Sequence, residues 1–537
     1  MSGLRRALLV ALPSAAVALW LLGATADHGV GLYPDSVDYV STAVSLAEGR
    51  GFVDHRDRVY TLWPPLYPTV LAAGALAGVD PVVWARWLAI LCYVSIVAFA
   101  GLWLGRHLRS ATLAGMGVAL VALGWPLTKF STAALSEPLF WLLSLLALGS
   151  LDGRAGNGGK GTPQRRRPWL AAAFSALALL TRFVGVAVVL VNAGRILAPN
   201  RGPLRRRLSD AALYCGLSVA PTALWMLRNW VVTGQSAGQR NPSSLSLLAN
   251  LEQAATTVGR WFAVFGTPPL VAGALVVAVL AAGAFVRDPG GRRPGGRRPR
   301  GRGDDGDPQG PGPMLPWLAF AAVFFVFVVA MRTAFEFNPL RDRLLSPIYV
   351  PLVFCLAFSL DRLLHAARSR TPSRRWAAAQ ALVLLLATLP VLHLASRVWK
   401  QGDDLFAKGF ADPAWSATPL ADWLRRSAPE GIYLSNEPAA AYLFTRQTTL
   451  PLPRNQRFSN DEAHGRLAKR IGKLRRVYPS DPLHLVWFEQ KIQARRRHLF
   501  DEDALVGRLG ATPLASFDSG RVYRLPPVGS PTFADGR

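Results

Sequence analysis

The sequence predicts a polytopic α-helical membrane protein of about eleven transmembrane helices, with a small C-terminal α/β domain outside the membrane. Three observations point there. Hydrophobic residues make up 51% of the 537, and a mean hydropathy of +0.23 is too apolar for an ordinary soluble enzyme of this size. Apolar stretches recur over the first three-quarters of the chain, many long enough to cross a hydrocarbon core of about 30 Å. After about residue 400 the pattern changes to mixed polar and apolar segments.

Charge sets the orientation. The formal net charge is +27, but the basic residues gather in short loops between apolar runs, which is the positive-inside pattern. Nucleic-acid binding needs one coherent basic face, and the sequence offers none. Four loops are strongly basic: 152–168 with Arg165, Arg166 and Arg167, 199–208 with Arg205, Arg206 and Arg207, 287–313, and 361–375. The N-terminus and the turn at 106–109 add smaller clusters. With all six in the cytoplasm, an even number of crossings must separate each from the next. Spans at 7–24, 82–104, 111–127, 138–151, 169–181, 183–198, 209–231, 261–286, 315–331, 344–360 and 376–395 meet that condition. The N-terminus is then inside and the C-terminus outside.

The remaining elements follow in order. The first helix, with Arg5 and Arg6 before it and Ala24-Thr25-Ala26 after it, imitates a secretory signal. The many later spans favour a retained helix. Segment 65–79 is short for a span and opens on Trp63-Pro64-Pro65, so it reads as a re-entrant or interfacial helix on the outer side. Segment 287–313, rich in Gly, Pro and Arg, cannot bury a core and reads as a solvated cytoplasmic linker that anionic lipid headgroups attract. In the tail, 431–435, 483–488 and 520–525 read as strands and 438–444 as a helix. The division is a transmembrane domain over 1–400, including the first outer loop at 25–64, and an α/β domain over 401–537.

Polar residues with chemical potential collect in the outer loops. Residues 36–48 have helical spacing with an apolar stripe of Val37, Val40, Val44 and Leu46, stopped by Gly49. Asp35 occupies the expected N-cap with Asp38 in the first turn, so helix capping and dipole complementation account for both. Glu137 lies at a membrane boundary before Pro138, where an uncompensated carboxylate is expensive; a helix start explains it equally well. Arg182 sits between two apolar stretches with almost no loop and calls for an anion, or snorkels. Arg341 and Arg343 flank the outer start of a span, where phosphate binding and interfacial anchoring both fit. Cys92, Cys215 and Cys355 fall in apolar segments without ligand spacing. His28, His55, His393 and His484 are scattered and make no zinc pattern. No Gly-rich nucleotide loop follows a strand.

Several short elements carry a resemblance. They are the acidic residue at the start of the first outer helix, Ala43 to Phe52 with Leu46-Ala47-Glu48-Gly49-Arg50-Gly51-Phe52, and Trp63-Pro64-Pro65-Leu66-Tyr67-Pro68. Then come Leu135-Ser136-Glu137-Pro138, Thr181-Arg182-Phe183, Arg228-Asn229-Trp230 and Arg341-Asp342-Arg343, in that order. Together, over about residues 1–400, they resemble the C-type membrane glycosyltransferase superfamily, in its protein O-mannosyltransferase and aminoarabinose transferase branch. The tail segments Leu434 to Pro438 and Val486 to Phe488 resemble exported tails of some bacterial members.

The resemblance implies a multi-pass cell-membrane enzyme. It would move a sugar from a polyprenyl-phosphate donor to a protein, lipid or cell-envelope glycan acceptor on the outer face, with inversion. A carboxylate must take the acceptor's proton, and arginines suit the departing phosphate. Asp35 matches the family's first-loop acidic residue and is the implied base. Asp38 departs from the family's adjacent acidic pair, and base partner, metal ligand and helix-start charge all stay open for it. Glu137 is a further catalytic candidate, and Arg182, Arg341 and Arg343 are the candidates for donor phosphate. A divalent metal ion stays open as a cofactor. The alternative is a transporter or flippase of lipid-linked sugars, or a ligase or polymerase acting on them. A transporter predicts internal repeats and mid-membrane charges, of which the sequence shows none.

Overall fold

The computed structural model describes residues 3–152, 168–199, 203–238, 241–264, 266–286, 312–368, 388–396, 398, 409–452, 473–474, 476–489 and 501–527. The basic stretches at 153–167, 287–311 and 369–375, and most of the expected span at 376–395, lie outside the described residues.

In chain order the helices are α1 (Gly3–Ala24), α2 (Pro34–Ala47), α3 (Leu66–Leu76), α4 (Pro81–His107), α5 (Ala111–Ala122), α6 (Trp125–Ser131), α7 (Glu137–Gly149) and α8 (Pro168–Thr181). There follow α9 (Val186–Leu197), α10 (Leu204–Thr233), α11 (Leu247–Phe262), α12 (Pro269–Phe285), α13 (Leu315–Ala334), α14 (Asp342–Leu345) and α15 (Tyr349–Arg368). Five helices among the described residues are long and apolar enough to cross a membrane, or six if the bent pair α5–α6 is one span. The protein is therefore a polytopic helical membrane protein.

The chain folds into two compact units. The first comprises residues 1–24, 61–67 and 87–405. Its interior holds a cluster in which the Trp103 and Phe354 rings stack at 4.6 Å while Trp317 meets both edge-on. Some buried polar groups are paired inside it, as lipid favours: Ser175 and Tyr214 share a 2.6 Å bond and Asn192 donates to Ala147 O at 3.0 Å. Along α10, by contrast, Leu213, Leu217, Leu224, Leu227 and Val231 are exposed, a face suited to hydrocarbon.

Two expected segments differ here. The expected span 111–127 breaks at Leu123-Gly124 with a 41° bend between α5 and α6. A side chain at Gly124 would meet the Tyr349 ring at 2.4 Å, and Tyr349 Oη donates to Leu120 O at 2.8 Å. A distant tyrosine thus sets the break. The basic triplet at 205–207, expected in a loop, forms the first turns of α10, opened by Pro203 at its N-cap.

The second unit comprises residues 25–60, 68–86 and 406–537. It is built on five strands: β1 (Ile432–Ser435), β2 (Thr449–Pro451), β3 (Leu483–Phe488), β4 (Thr512–Phe517) and β5 (Gly520–Arg524). Their order is β2-β1-β3-β5-β4, with β1 parallel to β2 and β3, and β5 antiparallel to β3 and β4. Alternate residues feed two cores. Tyr433, Val486 and Val522 join Leu420, Tyr442 and Phe444 on one side, while Leu434, Leu485 and Trp487 join Leu505 and Leu509 on the other. Central β1, covered on both faces, is buried throughout. β1, β3 and β5 lie where the sequence predicts strands.

The first-loop residues are part of this packing. Val37 of α2 is fully buried in the Tyr433 core. Phe410 N–H donates to Leu32 O at 2.8 Å and Thr449 N–H to His55 O at 2.9 Å. A division of the chain at residue 400 leaves loop 25–64 with the helices; packing groups its residues 25–60 with the tail.

Candidate functional site

In the first unit three sequence-predicted residues meet. Glu137 opens α7 with Pro138 behind it, and it is only 1% exposed. Its Oε1 accepts from Arg182 Nη1 at 2.6 Å and from Arg343 Nε at 2.5 Å. Arg182 is held in extended backbone between α8 and the 3-10 turn Phe183–Gly185, and it also donates to Ser136 Oγ at 3.2 Å. Arg343 comes from α14. Two guanidinium groups on one carboxylate leave the triad with an excess positive charge. The second oxygen, Oε2, is buried and accepts no hydrogen bond among the described residues.

The short α14 is fixed by Asp342. Its two oxygens accept the indole N–H groups of Trp125 at 3.2 Å and Trp261 at 3.0 Å, with Lys129 Nζ at 3.7 Å. Holding Asp342 from α6 and α11 leaves Arg343 little freedom. Arg341, the third phosphate candidate, is exposed and forms the N-cap of α14. The structure does not bring it to Glu137.

Arg182 and Arg343 line a cavity of about 220 Å³. Its other walls are chiefly apolar: Trp63, Phe183, Phe324, Phe327, Met331, Phe335, Phe337 and Pro347. The Trp63 indole N–H is buried and has no acceptor among the described residues. An aromatic cavity with two convergent guanidinium groups suits an amphiphile bearing an anionic head.

The second unit carries the acidic candidates. α2 begins at Pro34, two residues earlier than the sequence suggests, because proline's fixed φ favours the first helical position. Tyr33 is therefore the N-cap, its N–H bonded to Ser36 Oγ at 3.1 Å. Asp35 stands in the first turn, half-buried, with a dipole role rather than a cap.

Asp38 is 8% exposed and faces inward. Arg56 Nη2 donates to it at 2.9 Å and also grips Asp54, whose Oδ2 lies 2.9 Å from Arg56 Nε. His55 Nδ1 lies 3.3 Å from the same Asp38 oxygen, without hydrogen-bond geometry. Burial works against the Arg56 charge, but Asp38 and Asp54 outweigh it and raise the Arg56 pKa. Tyr60 is pushed well above the usual tyrosine range, first by burial and then by Tyr39, Asp38, Asp35 and Asp54. Asp35 and Asp38 thus share one electrostatic neighbourhood.

Sequence reading missed Asp54, His55, Arg56 and Tyr60. The dense charge run Asp54-His55-Arg56-Asp57-Arg58 was their signal, in a loop that looks solvated. Among the described residues no group of three or more His, Cys, Asp or Glu side chains is arranged to hold a metal ion.

Solved structures share this architecture. ArnT from Cupriavidus metallidurans, solved apo and bound to undecaprenyl phosphate, superimposes with a TM-score of 0.60 at 14% identity, covering 96% of this chain and 97% of ArnT. The Archaeoglobus fulgidus oligosaccharyltransferase aligns at 0.54 and 12% identity, over 95% of this chain and 72% of its own. Arabinofuranosyltransferase AftD from Mycobacteria aligns at 0.52 and 16% identity, over 96% of this chain and 40% of AftD. The chain has the C-type glycosyltransferase fold. No sequence-family model matches it, and no curated protein sequence does. On this C-type fold the Glu137–Arg182–Arg343 triad and the acidic neighbourhood of Asp35 are the two places where charge is concentrated on predicted residues.

Proposed function

We propose that this chain is a membrane glycosyltransferase that moves a sugar from a polyprenyl-phosphate donor to an acceptor on the outer face of the cell membrane. The observation that carries the reading is the pair of arginines, Arg182 and Arg343, on one buried carboxylate at the wall of an aromatic cavity. Undecaprenyl phosphate, the ligand of the similar ArnT, has the matching chemistry of one phosphate on an apolar chain. Arg182 and Arg343 are the residues we assign to that phosphate, with Glu137 orienting both.

In the proposed step an acceptor oxygen or nitrogen attacks the anomeric carbon. The new glycosidic bond forms as the bond from that carbon to the phosphate oxygen breaks, with inversion. The bonding pair stays on the phosphate, whose growing charge the arginines stabilise. The acceptor's proton passes to a carboxylate, which we assign to Asp35. Asp38, engaged with Arg56, positions the start of α2 and is not the base. The sugar transferred is a hexose or a pentose. About eleven crossings, with the shorter apolar helices Glu137–Gly149, Pro168–Thr181, Phe183–Leu197 and Pro269–Phe285 contributing, leave the C-terminal domain outside; Leu66–Leu76 lies at the surface rather than across it.

The test compares purified wild type with Asp35→Asn in transfer from a polyprenyl-phosphate sugar. Turnover should fall about 10²–10⁴-fold, as for loss of a general base. The melting temperature should change little, since Asn keeps the size and polarity of the side chain and the first-turn dipole contribution is about 0.3–1 kcal/mol. Near-normal turnover would remove Asp35 from the chemistry. Labelling of a single cysteine placed at the exposed Ser427 from the cytoplasmic side would overturn the outward placement.

A further inference from the structure

Arg332 stands in the last turn of α13, at the end of a helix apolar and long enough to cross a membrane. The residue is 8% exposed. Its Nη1 makes two long hydrogen bonds, both 3.4 Å, to Ser243 Oγ and Phe335 O. The guanidinium lies 5.6 Å from the centre of the Phe337 ring. Its Nε is buried and donates to nothing among the described residues.

A contrast with four other sheltered arginines shows what this means. Arg56, Arg182, Arg195 and Arg343 each meet a carboxylate, at 2.9, 2.6, 2.6 and 2.5 Å. Arg332 is buried and meets none among the described residues. A guanidinium taken out of water without an anion is costly, and at the end of a membrane helix such a charge marks a ligand's place. A carbonyl at 3.4 Å and an aromatic face repay little of that cost.

The surroundings show which anion fits. The unused Nε–H lies on the edge of the guanidinium that can grip two oxygens of one oxyanion. Ser243 offers a hydroxyl beside it and is half-buried, so the place opens toward the surface. Its segment is pinned: Ser243 N–H donates to Ala334 O at 3.2 Å and Glu336 N–H to Asn241 O at 2.8 Å. At the end of a spanning helix the abundant oxyanion is a headgroup phosphate.

We propose that Arg332, with Ser243, binds the phosphate ester of a membrane-lipid headgroup, at a site separate from the Arg182–Arg343 pair. Phe335 and Phe337 touch Arg332 and also line the cavity, so a lipid held here would lie beside that cavity's aromatic wall. The proposal stands whether or not the chain transfers sugars.

The experiment uses the full chain, delipidated in a neutral detergent, with dioleoyl phosphatidic acid as the probe. Dioleoylglycerol controls for the acyl chains and inorganic phosphate for free anion. Wild type should melt about 3 °C or more higher with phosphatidic acid in excess over its dissociation constant, and not with either control. Arg343→Gln, which disrupts the other pair, should keep the shift. Arg332→Met, which removes the buried charge and keeps most of the volume, should melt no lower than wild type without lipid and should lose the shift. If Arg332→Met is not recovered folded, Arg332→Lys serves, since an ammonium cannot reproduce the two-point grip; its shift should be at most half that of wild type. A full shift in Arg332→Met or Arg332→Lys overturns the proposal. So does a shift that dioleoylglycerol or inorganic phosphate reproduces, or one abolished by Arg343→Gln alone.

Discussion

Glu137 combines two demands that conflict in a buried group: it must stay charged, and one of its oxygens accepts nothing among the described residues. The arginines resolve the conflict by crowding onto Oε1. The carboxylate is then a ballast that lets two guanidinium groups sit close together, so that on the proposed function an incoming phosphate would meet a preassembled cationic pair. Replacing Glu137 by Gln keeps the shape and removes the charge. The arginines would then repel each other in a buried place, at a cost of about 3–5 kcal/mol when one partner of a buried ion pair is lost. A phosphate should relieve part of that repulsion. Thermal melting should therefore show Glu137→Gln well below wild type without ligand, and more strongly stabilised by undecaprenyl phosphate. A catalytic base at Glu137 would give the opposite result: unchanged melting and a large loss of turnover.

Among the elements, β3 carries a titratable group whose sign is clear. His484 is fully buried, with Nε2 3.2 Å from Glu430 O and its ring 5.1 Å from that of Tyr433. Burial and, more weakly, Arg524 lower its pKa below 6.5, against a smaller opposing effect of the Glu430 carbonyl. The folded form therefore keeps His484 neutral, while the unfolded chain takes up a proton near its ordinary value of about 6.5. Stability conferred by the neutral ring is present above that value and is lost as pH falls below it, until the depressed folded pKa is reached. Hydrogen exchange of the β1 and β3 amides should accelerate between pH 7 and pH 5 beyond the change in intrinsic exchange. His484→Gln should flatten that dependence, and an unchanged slope would assign it elsewhere. The sheet also shows what element-level reading can and cannot find. β1 and β3 are mainly apolar runs, β5 sets Val522-Tyr523 after the turn residues Asp518-Ser519-Gly520, and all three were legible. β2 is three residues long, and β4 contains Pro513 with a register shift between Pro513 and Ala515, so neither carries a strand pattern. The break at Gly124 depends on Tyr349, far along the chain, and no local window contains it.

For the whole molecule, the order of apolar runs and basic loops made the membrane class legible, and the placement of Glu137, Arg182 and Arg343 at the boundaries of apolar segments marked three residues that the structure brings together. What no periodicity shows is which segments share a core. Residues 25–60 look like a solvated loop, yet they are knitted into the unit that holds the tail. Val37 fills the Tyr433 core, Leu32 pairs with Phe410, and His55 pairs with Thr449. The tail therefore packs directly against the segment that carries α2. It is the ground on which α2 stands. Removing residues 406–537 would strip Val37 of its core and leave the Leu32 and His55 carbonyls without these partners. The truncated chain should show new protease cleavage within 25–60. If Asp35 is the base, its transfer activity should fall at least about 100-fold, the lower range for losing a positioned general base. Leu420→Ala, a cavity in the same core, should do the same more mildly, at about 2–5 kcal/mol of local stability. A truncated protein with an intact 25–60 segment and near-normal transfer would show that the loop holds its own fold and would return the tail to an accessory role.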